Sequence, residues 1–399
     1  MMQRRLLLGL TVAFTVAFTV ASPAAPLWGY GSAQTGVLVV TNTTLIDGVS
    51  DTARANMSVL IRGRRITAVG AADTMETPAG ATVIDGSDKF LIPGLWDTHA
   101  HLSYWGEDAL ELLVRAGVTS IRELGGDPEE IGTWKAEIES DERIGPAMIW
   151  CGPFLEGLDG GDEYRFKIAD QDEARYAARA LQALGVDFLK IQPVIAPELV
   201  AALVDESRHL GLTVVGHLPR GVGAAQGAAL GLRSIEHMSP YLRLTDNEIT
   251  TVIAAYLEHG TWMSPALYSM VAPLEAAGDD PANDARVQRA YEIVQRFHRA
   301  GVPILVGSNF AYRDWPQKPG SGLHGEMRVL VEAGLSEMEV IRLATATAAA
   351  FAGAAEETGA IRPGLSADMV LLDANPLADI RNTERISLVI LRGQVLPAR

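Results

Sequence analysis

The feature that most constrains this chain is a phrase repeated along its middle, in which a helical stretch closes on glycine and a short apolar run follows at once. It occurs at Arg115-Ala116-Gly117-Val118, Ala183-Leu184-Gly185-Val186, His209-Leu210-Gly211-Leu212, Ala229-Leu230-Gly231-Leu232, Glu258-His259-Gly260-Thr261 and Arg299-Ala300-Gly301-Val302. Glycine accepts the left-handed conformation that closes a helix, so the next strand can begin immediately. Adding Phe90-Leu91-Ile92 before the first repeat and Ala147-Met148-Ile149-Trp150 after Gly145 gives eight strands alternating with helices. Eight such units predict an α/β fold, a closed parallel (β/α)8 barrel over residues 91–355.

The two flanks read differently. Val37-Leu38-Val39-Val40, Ser58-Val59-Leu60-Ile61, Ile66-Thr67-Ala68-Val69 and Ala81-Thr82-Val83-Ile84 are short strands, with a tight turn at Gly63. The same texture returns in Ala367-Asp368-Met369-Val370-Leu371-Leu372 and Ile386-Ser387-Leu388-Val389-Ile390-Leu391. Residues 37–90 and 356–399 are therefore expected to combine into one small β-sandwich domain built from both ends of the chain.

At 399 residues and 48% hydrophobic content the chain can bury a large core. Its 49 acidic against 33 basic side chains give a net charge of −16, which repels phosphate backbones and argues against nucleic acid as a partner. Small-molecule substrates fit better, and a homo-oligomer is left open. Met1-Met2-Gln3-Arg4-Arg5 followed by the apolar run Leu6 to Ala21 reads as a signal peptide over residues 1–33, hence export to a periplasm or medium. Cleavage could follow Ala24 or Ala33; the alternative is an uncleaved N-terminal membrane anchor. No later segment has the length or apolarity of a membrane span. The lone Cys151 cannot close an intrachain disulfide, so an exported fold must rest on its core and any bound metal.

In order, the expected strands run into His99 and His101, Glu123, Cys151, Lys190, His217, His237, Ser264 and Ser308-Asn309. The C-terminal strand ends form the active-site face of such a barrel, so these side chains converge on one cavity. Two imidazoles two residues apart on an extended segment point the same way and can grip one cation. Taken alone the pair could be structural; His217 and His237 at further strand ends turn it into a metal-site pattern. His209, His259 and His298 lie in helices before the closing glycine, where they suit the helix dipole or solvent. Lys190, in an apolar strand, must be paired, neutralised or modified.

With those residues in view, the sequence resembles the amidohydrolase superfamily, in particular its imidazolonepropionase-like and Xaa-Pro-dipeptidase-like members. The resemblance runs from about Val37 to the C-terminus. It is carried by Ile92-Pro93-Gly94-Leu95-Trp96-Asp97-Thr98-His99-Ala100-His101, Phe188-Leu189-Lys190-Ile191, Val215-Gly216-His217, Ser234-Ile235-Glu236-His237, and Gly364-Leu365-Ser366-Ala367-Asp368-Met369-Val370-Leu371-Leu372-Asp373. It implies a TIM barrel and two divalent metal ions, zinc expected. His99, His101 and a carbamate on Lys190 would hold one, and the carbamate would be shared with a second held by His217 and His237. It further implies cleavage of an amide or peptide C–N bond, in a dipeptide or an N-acyl amino acid, by a metal-bridging hydroxide.

One position departs from that pattern. The eighth strand ends at Asn309 where the resemblance calls for an aspartate that binds metal and accepts the proton of the attacking water. An amide oxygen can face a metal but has no basic site at neutral pH, and loss of a general base costs about 10²–10⁴-fold in rate. Asp314 and Glu123 are candidates to replace it. Arg220, Tyr241, Arg243, Tyr268 and His324 follow strands and are candidate substrate contacts, an Arg–Tyr pair being suited to a carboxylate. Two other readings stay open: a non-catalytic metal- or ligand-binding protein of the same fold, and a Schiff-base lyase using Lys190.

Overall fold

The computed structural model describes residues 36–161 and 163–397. The expected leader lies outside the described residues, among which no helix is long and apolar enough to cross a membrane.

Both ends of the described chain meet in one eight-stranded sheet. Its order is Gln394–Pro397, Ile386–Leu391, Met369–Leu372, Phe90–Pro93, Val37–Leu45, Arg54–Arg62 and Arg65–Ala71, with Thr82–Asp85 also pairing Val37–Leu45. Alternating residues of these strands, including Leu38, Val40, Val59, Ile61, Leu91, Met369, Leu371 and Ile390, bury a core of their own. One expectation is corrected here. Phe90-Leu91-Ile92 is not the first strand of the central fold; Phe90 to Pro93 pairs antiparallel with Leu372 to Met369 in the terminal sheet. Its side chains are sandwiched between strands from both chain ends, which an apolar run cannot distinguish from a barrel strand.

The central strands are Leu95–Ala100, Val118–Glu123 and Ala147–Trp150 in one parallel sheet, and Leu189–Ile191, Val214–Gly216, Ser234–Glu236 and Trp262–Ser264 in another. The second sheet also carries Phe154–Gly157 and Arg165–Ile168, a parallel pair that the repeat did not announce. Residues 303–310 run between the two sheets: Leu305 N donates to Met263 O at 2.8 Å, and Thr98 N donates to Val306 O at 3.0 Å. Across the other gap, Asp187 N donates to Trp150 O at 2.9 Å.

The helices between these strands start and stop where the residues dictate. Asp127, Asp170 and Thr245 cap helix N-termini with their side chains, Thr245 in a reciprocal capping box with Glu248. The glycines of the repeated phrase all have positive φ, from 68° at Gly260 to 98° at Gly231. A large apolar core fills the space between strands and helices.

Candidate metal centre

Strand alternation carries His99 inward from Leu95–Ala100, and the chain turns out of that strand at His101. His217 and His237 each follow the last residue of a neighbouring strand. The four rings form a continuous group: centroids lie 5.3 Å apart for His99 and His101, 4.9 Å for His99 and His237, and 4.8 Å for His217 and His237. Lys190, fully buried on the adjacent strand, lowers the proton affinity of all four. Burial is the largest cause in each and Lys190 lowers them further, holding His101 at about 3 and His237 at about 4, with His217 well below the usual imidazole range and His99 likewise, despite the opposing Glu236 carboxylate beside it. All four are therefore neutral near pH 7, the state a metal ligand requires. Burial likewise pulls the Lys190 amine down to about 8.

Each member of the His99/His101 pair is oriented from behind. His101 Nδ1 lies 3.2 Å from the Gly125 carbonyl, which can only accept, so that nitrogen carries the hydrogen and Nε2 keeps its lone pair. The Gly125 amide is in turn bound to Glu123, whose other oxygen takes the Leu102 amide. His99 Nδ1 sits 3.1 Å from Glu236 Oε2, not in line for a full hydrogen bond. Glu236 accepts from Arg122 Nη2 at 2.9 Å and from Ser234 Oγ at 2.7 Å. Burial raises the Glu236 carboxyl, but Arg122, Lys190 and His99 outweigh it, and the group stays ionised. Asp97 joins the first and last strands at the site, accepting from His99 N at 3.1 Å, Ser308 N at 3.0 Å and Ser308 Oγ at 2.5 Å.

Close backbone approach needs glycine twice. A Cβ at Gly216 would strike the Ile191 carbonyl beside Lys190, and one at Gly307 would strike His99. Two side-chain-bearing residues are themselves held at positive φ, His237 at 70° and Asn309 at 54°. Such conformations cost free energy and gather at functional sites; asparagine tolerates them better than most residues. Asn309 is 9% exposed, and its backbone amide donates to His99 O at 2.8 Å.

The donor set fits divalent metal. Nε2 of His99, Nδ1 of His217 and Nζ of Lys190 are buried without a hydrogen-bond partner, while His99 Nδ1 faces Glu236. Such atoms are costly unless a ligand satisfies them. Among the described residues, no three His, Cys, Asp or Glu side chains already surround one point at ligand distance.

His101, His217, His237 and Asn309 open onto a cavity of 580 Å³, walled also by Tyr104, Phe154, Arg165, Gln192, Met238, Leu242, Met270, Tyr312 and Trp315. Several expected contacts are absent from it. Tyr241 is wholly buried, its hydroxyl 2.6 Å from that of Tyr256, a core pair. His324 is buried between Thr383 Oγ1 at 2.8 Å and Ala116 O at 2.9 Å, tying the helix Ser321–Glu332 to the C-terminal segment. Tyr268 packs its ring against Gly325 and under Arg328. Arg220 borders a separate cavity beside Pro193, and Arg243 is exposed. Of the carboxylates considered as a replacement base, Glu123 is buried on two backbone amides and Asp314 is exposed. Neither lines the cavity.

The aromatic wall, Arg165 and the Glu236–Arg122 pair were not foreseen. The last had a signal, since Arg122 and Glu236 are charged residues inside apolar strands. Tyr312 and Trp315 stand in irregular chain, and Tyr104 and Phe154 in four-residue elements too short for a periodicity to mark them.

Comparison with known proteins agrees with this architecture. Ochratoxinase of Aspergillus niger is 25% identical over 86% of this chain and 83% of its own length. Imidazolonepropionase of Salinispora arenicola is 24% identical over 84% of this chain and 90% of its own. Among solved structures, a putative prolidase from Bifidobacterium longum superposes with a TM-score of 0.77 at 25% identity, covering 91% of this chain and 95% of the other. A Xaa-Pro dipeptidase with bound methionine gives 0.77 at 20% identity, covering 91% and 100%. These neighbours share a TIM-barrel-like α/β fold with a β-sandwich domain. The model of the Amidohydrolase family matches residues 90–396, and the chain belongs to that family.

Proposed function

We propose that this chain is a metal-dependent hydrolase that cleaves an amide or peptide C–N bond in a dipeptide or N-acyl amino acid. In this reading the site sits at one end of a (β/α)8 barrel that starts with Leu95–Ala100 and runs to residue 355, and the strands before it, Phe90–Pro93 included, join residues 356–399 in the accompanying β-sandwich domain. The observation that carries the proposal is the set of buried, unpartnered nitrogens on His99, His217 and Lys190, gathered around one group of rings. His99, His101, His217, His237 and Lys190, the last as a carbamate, would hold two divalent ions, zinc by donor type. Such ions polarise a carbonyl and make bound water nucleophilic at neutral pH. The family and the C–N hydrolases among its relatives support this reading.

The chain's own residues set the limits. His101 presents Nε2 because Gly125 fixes its other nitrogen, and Asp97 pins the strand of His99 to Ser308, next to Asn309. Asn309 lines the cavity with an amide that cannot accept a proton at neutral pH. Lys190 does not line the cavity, which leaves a Schiff-base role without access to a carbonyl substrate.

A second reading, a metal- or ligand-binding protein without turnover, is favoured by one observation: among the described residues no carboxylate lines the cavity. Comparing wild type with Asn309→Asp on amide substrates decides between the two. Hydrolysis should rise by at least ~10²-fold, the low end of what a positioned base supplies, with metal content nearly unchanged. Metal binding with no cleavage by either form would establish the second reading instead.

A further inference from the structure

The wall of the cavity bears on the choice between the two substrate classes named above. Tyr104, Tyr312 and Trp315 form a contiguous set of rings, with centroids 4.8 Å apart for Tyr104 and Tyr312 and 5.0 Å for Tyr312 and Trp315. All three line the cavity, yet Tyr312 and Trp315 are 40% and 37% exposed. Large rings left facing water at the mouth of a cavity are apolar area that a ligand can cover, and their edges and faces favour a planar aromatic partner.

Charge points the same way. In a chain of net charge −16, this cavity is lined, among the described residues, by two arginines, three neutral histidines and no carboxylate. Arg165 is fixed in place, its guanidinium 4.1 Å from the Phe154 ring centroid, with Nε on Glu156 Oε2 at 3.0 Å and Nη1 on Glu163 O at 2.7 Å. Arg286 is exposed and paired to Asp284. A dipeptide with a free amino terminus would bring an ammonium to a cavity offering it no anion, beside ions of like sign. An N-acyl amino acid brings no such charge, and its carboxylate can meet the guanidinium of Arg165 or Arg286, each already holding one carboxylate, Glu156 and Asp284.

We infer that the site takes N-aroyl amino acids, with the aromatic acyl group seated on Tyr104, Tyr312 and Trp315, and excludes dipeptides with a free amino terminus. The inference rests on the amide-hydrolase reading for its chemistry but on binding for its test. Three probes share one leaving amino acid: N-benzoyl-leucine, N-acetyl-leucine and the dipeptide Phe-Leu. Their binding to the zinc-loaded full mature chain is measured by titration calorimetry. N-benzoyl-leucine should bind about 10-fold tighter than N-acetyl-leucine, and Phe-Leu more weakly than either. Tyr312→Ala and Trp315→Ala should each weaken N-benzoyl-leucine by about 10-fold, with N-acetyl-leucine changing far less. Both variants are exposed-residue truncations, and unchanged zinc content and circular dichroism verify their fold.

Phe-Leu binding as tightly as N-benzoyl-leucine, loss of both acyl ligands equally in the two variants, or no binding of any probe overturns the inference. Cleavage of the same probes by Asn309→Asp is followed in parallel. Faster cleavage of Phe-Leu overturns the substrate class while leaving the hydrolase reading intact. Selective binding of N-benzoyl-leucine with no cleavage of any probe upholds the aromatic subsite and defeats the hydrolase reading.

Discussion

Around Lys190, buried nitrogens are left without partners; around His324, on the helix Ser321–Glu332, both ring nitrogens are matched at hydrogen-bond distance. Both regions bury imidazole, and burial lowers the proton affinity of the ring in both. The difference lies in what stands opposite each nitrogen. A matched ring contributes to folding outright, whereas an unmatched one costs about 1–3 kcal/mol until a ligand arrives. Buried histidine by itself is thus a poor guide to function, and the missing partner is the informative part.

That contrast can be broken most decisively by removing ligands. His99→Ala with His101→Ala should cost at least one of two metal equivalents per chain in elemental analysis, while His324→Ala should cost stability and no metal. Equal metal content in the double variant and wild type would remove the site. Next in size is the dependence on carbon dioxide: if Lys190 carries a carbamate, reconstitution of metal-free protein should be faster and more complete with bicarbonate, followed by recovery of bound zinc. Indifference to bicarbonate, with density for a bare amine at full metal occupancy, would contradict it.

A smaller effect tests the orienting carboxylate. Glu236→Ala should weaken metal binding by about 10–100-fold, the range seen when the partner of a ligating histidine is lost. Glu236→Gln, which keeps an acceptor near His99 Nδ1, should recover most of it. Loss of melting temperature in both variants with metal affinity untouched would mean that Glu236 serves the core alone. The smallest effect lies in the matched set. Tyr241→Phe, which breaks the hydroxyl pair with Tyr256, should cost about 1 kcal/mol in denaturant unfolding and leave substrate binding as it was.

The sequence announced the candidate site unevenly. His99, His101, Lys190, His217 and His237 could be read because each stands at the end of a short apolar run, and strand alternation with glycine-closed helices fixes where those ends lie. Tyr241, Tyr268 and His324 were aimed wrongly because residues after a strand have no period to fix their direction. Tyr241 turned into the core and His324 found partners from distant parts of the chain, Ala116 and Thr383. The same gap hid Tyr104, Tyr312 and Trp315. Phe90 to Pro93 was misplaced for a further reason: its partner, Met369–Leu372, is remote in sequence, and a run of apolar residues says nothing about which sheet will claim it.

That last pairing also bears on the order in which the molecule can be assembled. One residue, Gly94, separates Phe90–Pro93 from the strand that carries His99. Its antiparallel neighbour is made only after the whole central fold, so the segment leading into His99 and His101 waits, half-paired, until then. Contacts so distant along the chain form slowly, and an open strand edge invites pairing with other chains. A nascent chain stopped short of Met369 would carry all four site histidines and still expose that edge, trading a finished centre for a surface prone to aggregate.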